Sequence, residues 1–541
     1  MTNRESDRLS NSANNRNWKK WGPYLSERQW GTVREDYSPH GGNTWNYINH
    51  DLARSYAYRW GEDGIAGFCD GDQVLCLAPV FWNGNDPILK ERLFGLTNDE
   101  GNHGEDVKEL YFHLDSSPTH SYCKFLYKYP QQTFPYMDLL RQNRRDRYSP
   151  EYELLDTGIF NDNKYFDCFI EYAKAGTNDI LMKITVHNRS NEAAEIHVLP
   201  HLWFRNFWKH NPRFNRPEIK SVSRDAIQTT SSRNGSYYFY HYGGEQLFCE
   251  NETNNRRMYN RPNDTAFVKD GINNYVVNKE KSVNPEKKGT KAAVWFKENI
   301  AAGLSKTFKI RLSKNELEDP WTEFDAVFNN RIADANQFYD QLAPKKLSDS
   351  HKKLLRSTLG GLLWTKQFYY MDVYKWLFGE PGETPPQRSY KRNFDWQHLT
   401  CRNIISMPDK WEYPWFAAWD LAFHAASFVH VDPEFAKQQL SVVLREYYMH
   451  PNGQIPAYEW NFSDVNPPVH AWGVWYVFEA DRKKTGVADW DFLERAFQKL
   501  LMNFTWWVNQ KDANGTDVFE GGFLGLDNIG VFDSKLYACR Y

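Results

Sequence analysis

Residues 407–424 have the sequence MPDKWEYPWFAAWDLAFH, and this stretch decides how the second half of the chain is interpreted. Its aromatic side chains at Phe416, Trp419 and Phe423 are three or four residues apart. Such spacing places them on one apolar face of a helix. We therefore expect a helix here, with Asp420 beside Trp419 at the edge of the buried face.

An aspartate in that position has two interpretations. Burial among aromatic rings disfavours the charged carboxylate and raises its pKa, as a general acid at neutral pH requires. The dipole of a helix also favours an aspartate in the first turn, without any catalytic role. With a helix that begins near Pro414, both interpretations fit Asp420, and the spacing alone does not decide between them.

Two later loops have the composition of binding loops. Residues 451–468 form a long, aromatic connection in which Glu459 lies between Tyr458 and Trp460. Such loops often carry function, so Glu459 either bonds sugar hydroxyls or is a loop carboxylate in solvent. Residues 519–528 contain Asp527 after three glycines that permit close backbone approach.

Helix boundaries in this half are marked by capping residues. Helices are expected to begin after Ser348, Asp432 and Asp489, and one is expected to end at Gly486. In the helix that begins after Asp489, apolar residues including Phe497 and Phe504 are expected to face inward. Successive helical hairpins with long loops indicate an (α/α)6 toroid, and the five or six helices here would build about half of its ring.

The first half of the chain has a different period. Alternating polar and apolar runs separated by turn residues predict an antiparallel β-sandwich. We therefore expect a multidomain β + α fold, with a truncated toroid as its second part. Its predicted segments are a disordered tail (1–20), a β-sandwich-like domain (21–320), a helical linker (321–345) and a partial (α/α)6 catalytic barrel (346–541).

Composition excludes several classes of protein. The 541 residues carry 66 basic and 69 acidic side chains, scattered along the chain, so no basic surface for nucleic acid is expected. Seven cysteines without a CxxC pair argue against a disulfide framework or a zinc knuckle. The polar N-terminus and the lack of a long apolar run predict a cytoplasmic protein without a membrane segment. Aromatic residues, at 16%, are abundant enough to supply sugar-stacking surfaces or simply large cores.

A resemblance now adds to this interpretation. The run from Asp409 to His424, the run from Asp432 to Leu440 and residues 448–472 together resemble the bacterial branch of glycoside hydrolase family 63, which includes processing α-glucosidase I. Residues 30–38 and 51–64 resemble the start of the same proteins. The similarity extends over nearly the whole chain, except for the tail after residue 533, so a fragment, a frameshift or a misassembled end is expected there.

The resemblance implies inverting hydrolysis of α-linked glucosides, or of related sugars such as mannosides, without a cofactor or metal ion. The substrate would be an oligosaccharide or small glycoside, and the oligomeric state is not indicated. The family's general acid corresponds to Asp420, whereas no residue corresponds to its general base. We expect the substrate to contact residues of the stretches 407–424, 451–468 and 519–528. They are Trp411, Glu412, Tyr413, Trp415, Trp419, Glu459, Trp460 and Asp527.

Two other functions remain open from the sequence. A carbohydrate-binding protein without catalysis could use Trp411, Trp415 and Trp460 as sugar platforms, and the missing base makes this alternative, or an inactive fragment, a real one. A phosphorylase built on the same barrel would need an arginine or lysine cluster near Asp420, and the sequence has none there.

Overall fold

The structure is a computed structural model, and it describes most of the chain. The described residues are 3–15, 18–28, 49–96, 106–146, 149–209, 213–379, 393–412, 414, 416–458, 462, 465–512, 514–516, 518 and 519. Contacts between Cα atoms divide the chain into two compact units. The first comprises residues 1–370 and 402–415, and the second comprises residues 371–401 and 416–541.

The described residues contain twenty-one strands. They are β1 (Trp21–Gly22), β2 (Phe68–Asp70), β3 (Leu75–Ala78), β4 (Phe81–Trp82), β5 (Gly95–Leu96), β6 (Asp106–Val107), β7 (Leu110–Ser116), β8 (Tyr122–Pro130), β9 (Tyr165–Gly176), β10 (Asp179–Asn188), β11 (Ala194–Val198), β12 (His201–Phe204), β13 (Glu218–Ser223), β14 (Ala226–Ser231), β15 (Gly235–His241), β16 (Glu245–Cys249), β17 (Lys288–Gly289), β18 (Lys291–Ile300), β19 (Ser305–Ser313), β20 (Lys366–Asp372) and β21 (Thr400–Ser406).

Seventeen of these strands form two antiparallel sheets in the first unit. The first sheet has the order β1-β2-β3-β12-β18-β11-β4, and β16 also pairs with β18. The second has the order β17-β13-β14-β15-β19-β10-β9-β8-β7. Residues from both sheets share one large apolar cluster, so the sheets pack face to face as a sandwich. The predicted antiparallel β-sandwich is therefore confirmed.

Strand β8 illustrates why this sequence forms a sandwich. Phe125, Tyr127 and Tyr129 are buried in the shared core, whereas Lys124 and Lys128 alternate with them and are partly exposed. Alternation with a period of two puts one face of a strand into the core and the other towards water. The carboxylate of Asp167, on β9, pairs with Lys128 at 2.5 Å on the outer face.

Twelve α-helices lie among the described residues, with three short 3-10 helices at Trp18–Lys20, Leu154–Thr157 and Asn161–Asn163. The α-helices are α1 (Arg4–Asn15), α2 (His50–Ala53), α3 (Tyr136–Asn143), α4 (Asn255–Tyr259), α5 (Gly271–Asn278), α6 (Phe324–Leu342), α7 (Asp349–Trp364), α8 (Val373–Phe378), α9 (Ala418–Phe428), α10 (Pro433–Val443), α11 (His470–Thr485) and α12 (Trp490–Gln510). None of the helices in the described ranges is long and apolar enough for a membrane crossing.

Helix α1 occupies residues for which the sequence predicts a disordered tail. The Glu5 carboxylate is fully buried and accepts hydrogen bonds from the Thr119 backbone and hydroxyl and from the Ser121 hydroxyl, at 2.6–3.0 Å. Arg8 bonds both Glu5 at 2.9 Å and Asp334, on α6, at 2.8 Å. The polar composition that predicted disorder is used in a buried ionic network, which local sequence does not reveal.

Helices α6 and α7 belong to the first unit, which differs from the predicted boundary at residue 346. The Arg356 guanidinium on α7 bonds both carboxylate oxygens of Asp115 on β7, at 3.1 and 2.6 Å. The indole of Trp364 donates to the Asp115 carbonyl at 3.0 Å. These contacts fix α7 against the outer strand of the second sheet.

The second unit contains α8 to α12, and two of these helices, α10 and α12, begin where the capping residues predict. Side chains of Asp432 and Asp489 accept from the backbone N–H of Phe435 and Phe492, at 3.2 and 3.0 Å. Helix α11 ends at Gly486, which has a left-handed backbone with φ +75°. Short-range capping chemistry thus sets these boundaries.

Close helix packing holds the second unit together. Gly473 on α11 has no room for a side chain, because a β-carbon there would lie 3.2 Å from Ala422 on α9 and from Leu440 on α10. The Lys437 ammonium on α10 pairs with Asp481 at 2.6 Å and with Asp489, the cap of α12, at 2.7 Å. The β + α architecture is confirmed, and closure into a toroid, with truncation of that ring, remains a prediction.

Candidate active site

Asp420 is the third residue of α9, since the helix begins at Ala418 and not near Pro414 as expected. Ala417, the N-cap, has an extended backbone with φ −134° and ψ 111°, which ends the loop before it. The N–H of Ala418 then donates to the carbonyl of Ala457 at 2.9 Å. The first turn of the helix is therefore attached to the loop of residues 451–458.

The Asp420 carboxyl is partly shielded from water, and this burial raises its pKa above the ordinary value of 3.8. A hydrogen bond from its own backbone N–H acts in the opposite direction and does not cancel the effect. Within the described part of the chain, no cation forms an ion pair with this carboxylate. Desolvation thus outweighs the helix terminus, which would favour the charged form.

A small cavity is lined by Trp419, the residue that precedes Asp420 on α9. Its volume of about 20 Å³ is enough for about one water molecule. Asp420 itself does not line it. The lining residues come from α9, the 451–468 loop, α11 and α12, and they are Ala418, Trp419, Ile455, Asn466, Pro467, Pro468, Val469, His470, Asn503 and Trp507.

Two buried polar atoms of the cavity lining have no hydrogen-bond partner: the side-chain oxygen of Asn466 and Nδ1 of His470. The other imidazole nitrogen of His470, Nε2, lies 2.8 Å from the Leu440 carbonyl, so it must carry the hydrogen and donate. Burial lowers the pKa of His470 to about 4, against the opposing effect of this bond. At neutral pH the ring is uncharged and Nδ1 is a free acceptor.

Acceptors of this kind, beside aromatic rings, suit hydroxyl groups. A water molecule can donate to both atoms and a sugar hydroxyl can donate to one of them, and the indole of Trp419 supplies an apolar wall. The Asn503 amide donates to the Gly453 carbonyl at 2.8 Å and so holds the loop against α12. Gly453 is needed there, because a side chain would collide with the Met502 carbonyl at 2.5 Å.

The buried face of α9 differs from the predicted one. The residues that pack inward are Ala418, Leu421, Ala422, Ala425 and Phe428. Phe423 is instead 46% exposed, and its ring lies 6.1 Å from that of Trp419 and 5.5 Å from that of Trp472. The small alanines face α10 and α11 because those helices approach closely, so the large aromatic rings are left on the outer face.

Trp411 and Glu412, two predicted substrate contacts, lie in the first unit. Trp411 is only 1% exposed, its indole N–H donates to the Leu93 carbonyl at 3.3 Å, and the Arg28 guanidinium lies 4.2 Å from its ring centre. Arg28 also donates to the Glu412 carbonyl at 3.0 Å. A ring enclosed in this way leaves no face for stacking on a sugar, so the geometry favours a structural role for Trp411.

Five other predicted contacts lie outside the described residues: Tyr413, Trp415, Glu459, Trp460 and Asp527. Among the members of the predicted set that the structure describes, only Trp419 lies next to Asp420, as its neighbour on α9. The sequence analysis missed Asn466, His470, Asn503 and Trp507, since a lone histidine or asparagine carries no local signal. The one available sign was their position in or beside the long aromatic loop, where polar groups are often functional.

Comparison with known families concerns this same part of the chain. Residues 413–523 match the family model of the mannosylglycerate hydrolase MGH1-like glycoside hydrolase domain. This segment is glycoside hydrolase-like. It contains Asp420 and all ten residues that line the cavity. The glycoside hydrolase character that the sequence predicts is confirmed at this level, and membership of family 63 remains a prediction.

A yeast protein is similar in sequence to nearly the whole chain. Uncharacterized protein YMR196W of Saccharomyces cerevisiae is 45% identical over 98% of this chain and 54% of its own length. The chain thus spans about half the length of this curated relative.

Among solved structures, a protein assigned as a kojibiose phosphorylase from the human microbiome has 10% identity and a TM-score of 0.30, over 83% of this chain and 57% of that chain. A GH92 α-mannosidase from Bacteroides thetaiotaomicron has 11% identity and a TM-score of 0.28, over 86% of this chain and 66% of that chain. At such values these two structures carry no argument about function.

Proposed function

We propose that this chain carries the proton-donating half of a glycoside hydrolase for α-linked sugars, with Asp420 as the general acid. The observation that carries the proposal is the position of Asp420. It lies in the first turn of α9, partly shielded from water and with a raised pKa, and it directly follows Trp419, which lines the cavity. All of this falls within the segment that resembles a glycoside hydrolase domain.

The reaction would begin with a protonated Asp420. Its proton passes to the glycosidic oxygen as the bond from that oxygen to the anomeric carbon breaks, and Asp420 is left as a carboxylate. In an inverting enzyme a second carboxylate, about 6.5–9.5 Å away, removes a proton from the water that attacks the opposite face. The sequence offers no residue for this base, and we propose that the full-length protein supplies it from another segment.

The substrate would be held by hydroxyl groups and one apolar face. Asn466 and His470 each offer an acceptor to a hydroxyl that enters the cavity, and Trp419 offers a ring for the C–H face of a sugar. The cavity is smaller than a sugar ring, so it would receive a single hydroxyl at its edge. Both α-glucosides and α-mannosides are candidates, the first from the resemblance to family 63 and the second from the MGH1-like domain.

The stereochemistry of the product tests this proposal. With aryl α-glucosides and α-mannosides and the full-length protein, we expect one sugar series to be hydrolysed and the β-anomer to appear first in ¹H NMR spectra. The β-anomer is expected because attack by water opposite to the leaving group inverts the anomeric carbon. If the α-anomer appears first, the inverting mechanism is wrong, and if neither glycoside is cleaved, the hydrolase proposal loses its support.

The pH dependence provides a separate prediction. A general acid works only while protonated, so activity should be present below the pKa of Asp420 and should fall as the pH rises through it. Burial raises this pKa, so the alkaline limb of kcat/KM should lie above the ordinary aspartate value of 3.8. Measuring kcat/KM against pH checks this, and a limb at or below that value would contradict the role of Asp420.

A second candidate function is supported by the exposed aromatic rings of α9 and α11. Phe423, Trp472 and Tyr476 form a continuous row, with ring centres 5.5 Å apart at each step. Rows of this kind can stack on an oligosaccharide without cleaving it. Calorimetry that detects oligosaccharide binding, together with NMR spectra that show no product from the full-length protein, would favour this binding function over hydrolysis.

A further inference from the structure

A cleft of about 370 Å³ opens where the turns of the two sheets meet in the first unit. From the first sheet it is lined by Lys20 and by the turn between β2 and β3. From the second sheet it is lined by the turn between β14 and β15 and by Lys314, which follows β19. Its volume falls in the range of sites that hold small molecules.

Lys20 and Lys314 both line this cleft, one from each sheet. The pKa of Lys20 is lowered by burial and by the positive charge of Lys314, against an opposing effect of Asp70. The Lys20 ammonium donates to the Asn178 side-chain oxygen at 2.7 Å, a neutral partner. Lys314 runs along the β14–β15 turn, where a β-carbon on Gly235 would lie 3.8 Å from its Cε. Like charges this close create a site that attracts an anion.

Arg233 adds a third cation, and its position is fixed. Its guanidinium lies 5.0 Å and 5.2 Å from the ring centres of Phe207 and Phe214. Its contact with Asp72 is long, at 3.9 Å, and Arg402 lies nearer to the same carboxylate, at 3.3 Å. The planar donors of Arg233 therefore have capacity for a further oxygen acceptor.

The two carboxylates at the cleft are already engaged. Asp70 accepts from the backbone N–H groups of Asp72, Val74 and Leu75 at 2.7–3.0 Å, which ties it to its own turn. Asp72 is shared between two arginines. Three cations, Lys20, Arg233 and Lys314, thus line the cleft together with two occupied carboxylates, so the lining keeps a net positive charge.

Asn234 provides an independent indication that a ligand belongs here. Its side-chain nitrogen and oxygen are both shielded from bulk water, and neither has a hydrogen-bond partner among the residues that the structure describes. Shielded polar groups are nearly always paired in folded proteins, so an unpaired amide that lines a cleft is explained by a partner that binds there.

We propose that this cleft binds a small divalent oxyanion, either inorganic phosphate or the phosphate group of a monoester. Lys20, Lys314 and Arg233 donate charge-assisted hydrogen bonds to its oxygens, and the Asn234 amide donates another. The net positive charge of the lining favours an anion over a neutral or cationic ligand. This site is separate from the chemistry assigned to Asp420 and does not depend on it.

Isothermal titration of the full chain with inorganic phosphate and with a hexose monophosphate, at constant ionic strength, tests the proposal. We expect saturable binding of one anion per chain. The double variant Lys20→Gln/Lys314→Gln should weaken it by about tenfold or more, because it removes two charge-assisted contacts. The matched control is Lys281→Gln, an exposed lysine outside the cleft, which should leave the affinity unchanged.

The possible outcomes separate clearly. Binding of both anions supports a site for the phosphate group itself, and binding of the monoester alone supports a site that also contacts the sugar. Absence of saturable binding, or equal affinity in the double variant and the control, overturns the proposal. Asn234→Ala serves as a second variant if the double variant does not fold, and it should also weaken binding.

Discussion

The variant Asp420→Asn is expected to lower kcat by about 10²–10⁴-fold on a glycoside whose leaving group is a poor acid, because proton donation contributes that much to such reactions. The amide has the shape of the carboxyl but no proton to give. KM should change little, because the amide keeps the size of the carboxyl and can make similar contacts with the substrate. Steady-state kinetics on an alkyl or oligosaccharide substrate measures this effect.

The leaving group distinguishes acid catalysis from a merely structural role. A dinitrophenyl glycoside leaves as a stable anion without protonation, so Asp420→Asn should keep most of its activity on that substrate. Asp491→Asn is a suitable control, because Asp491 is an exposed aspartate in the first turn of α12 in the same unit. A uniform loss on both substrates, or unchanged activity on the alkyl glycoside, would reject Asp420 as the acid.

The variant Glu5→Ala is expected to destabilise the first unit by about 3 kcal/mol or more. It removes the acceptor of four hydrogen bonds and leaves the donors of Thr119 and Ser121 buried without partners, each of which costs about 1–3 kcal/mol. It also takes from Arg8 one of its two carboxylate partners. Thermal or urea unfolding of the full chain measures the loss.

Asp7→Ala removes the same charge from an exposed position on the same helix. We expect it to change the free energy of unfolding by less than about 0.5 kcal/mol, as is usual for surface substitutions. Hydrogen exchange should then show faster exchange in α1 for Glu5→Ala only. If the two variants behave alike, the buried network does not hold α1 in place.

The aromatic residues show how far local sequence information extends. The spacing of Phe416, Trp419 and Phe423 correctly placed a helix after the loop and correctly predicted burial of Phe416, but it wrongly assigned Phe423 to the buried face. The same error occurs on α12, where Phe497 is 62% exposed and Phe504 is 60% exposed. An apolar stripe indicates that a face can be buried, and only the neighbouring helices decide whether it is.

The candidate site was predictable to the same limited extent. Asp420 and Trp419 are adjacent in the sequence, so a local pattern identifies both. His470 lies 50 residues after Asp420 and enters the cavity only because α11 packs against α9 through Gly473. Trp411, close to Asp420 along the chain, belongs to the core of the other unit.

The sequence by itself determined the change from a β-rich first part to a helical second part, and the helix starts at Ser348, Asp432 and Asp489. These features depend on strand alternation and on caps that act over three residues, so a short window contains their cause. Tertiary structure alone decided the docking of α1 through Glu5, the outward face of α9 and the lining of the Trp419 cavity. These depend on desolvation and packing by residues that are distant along the chain, and no local pattern records which partners will be present.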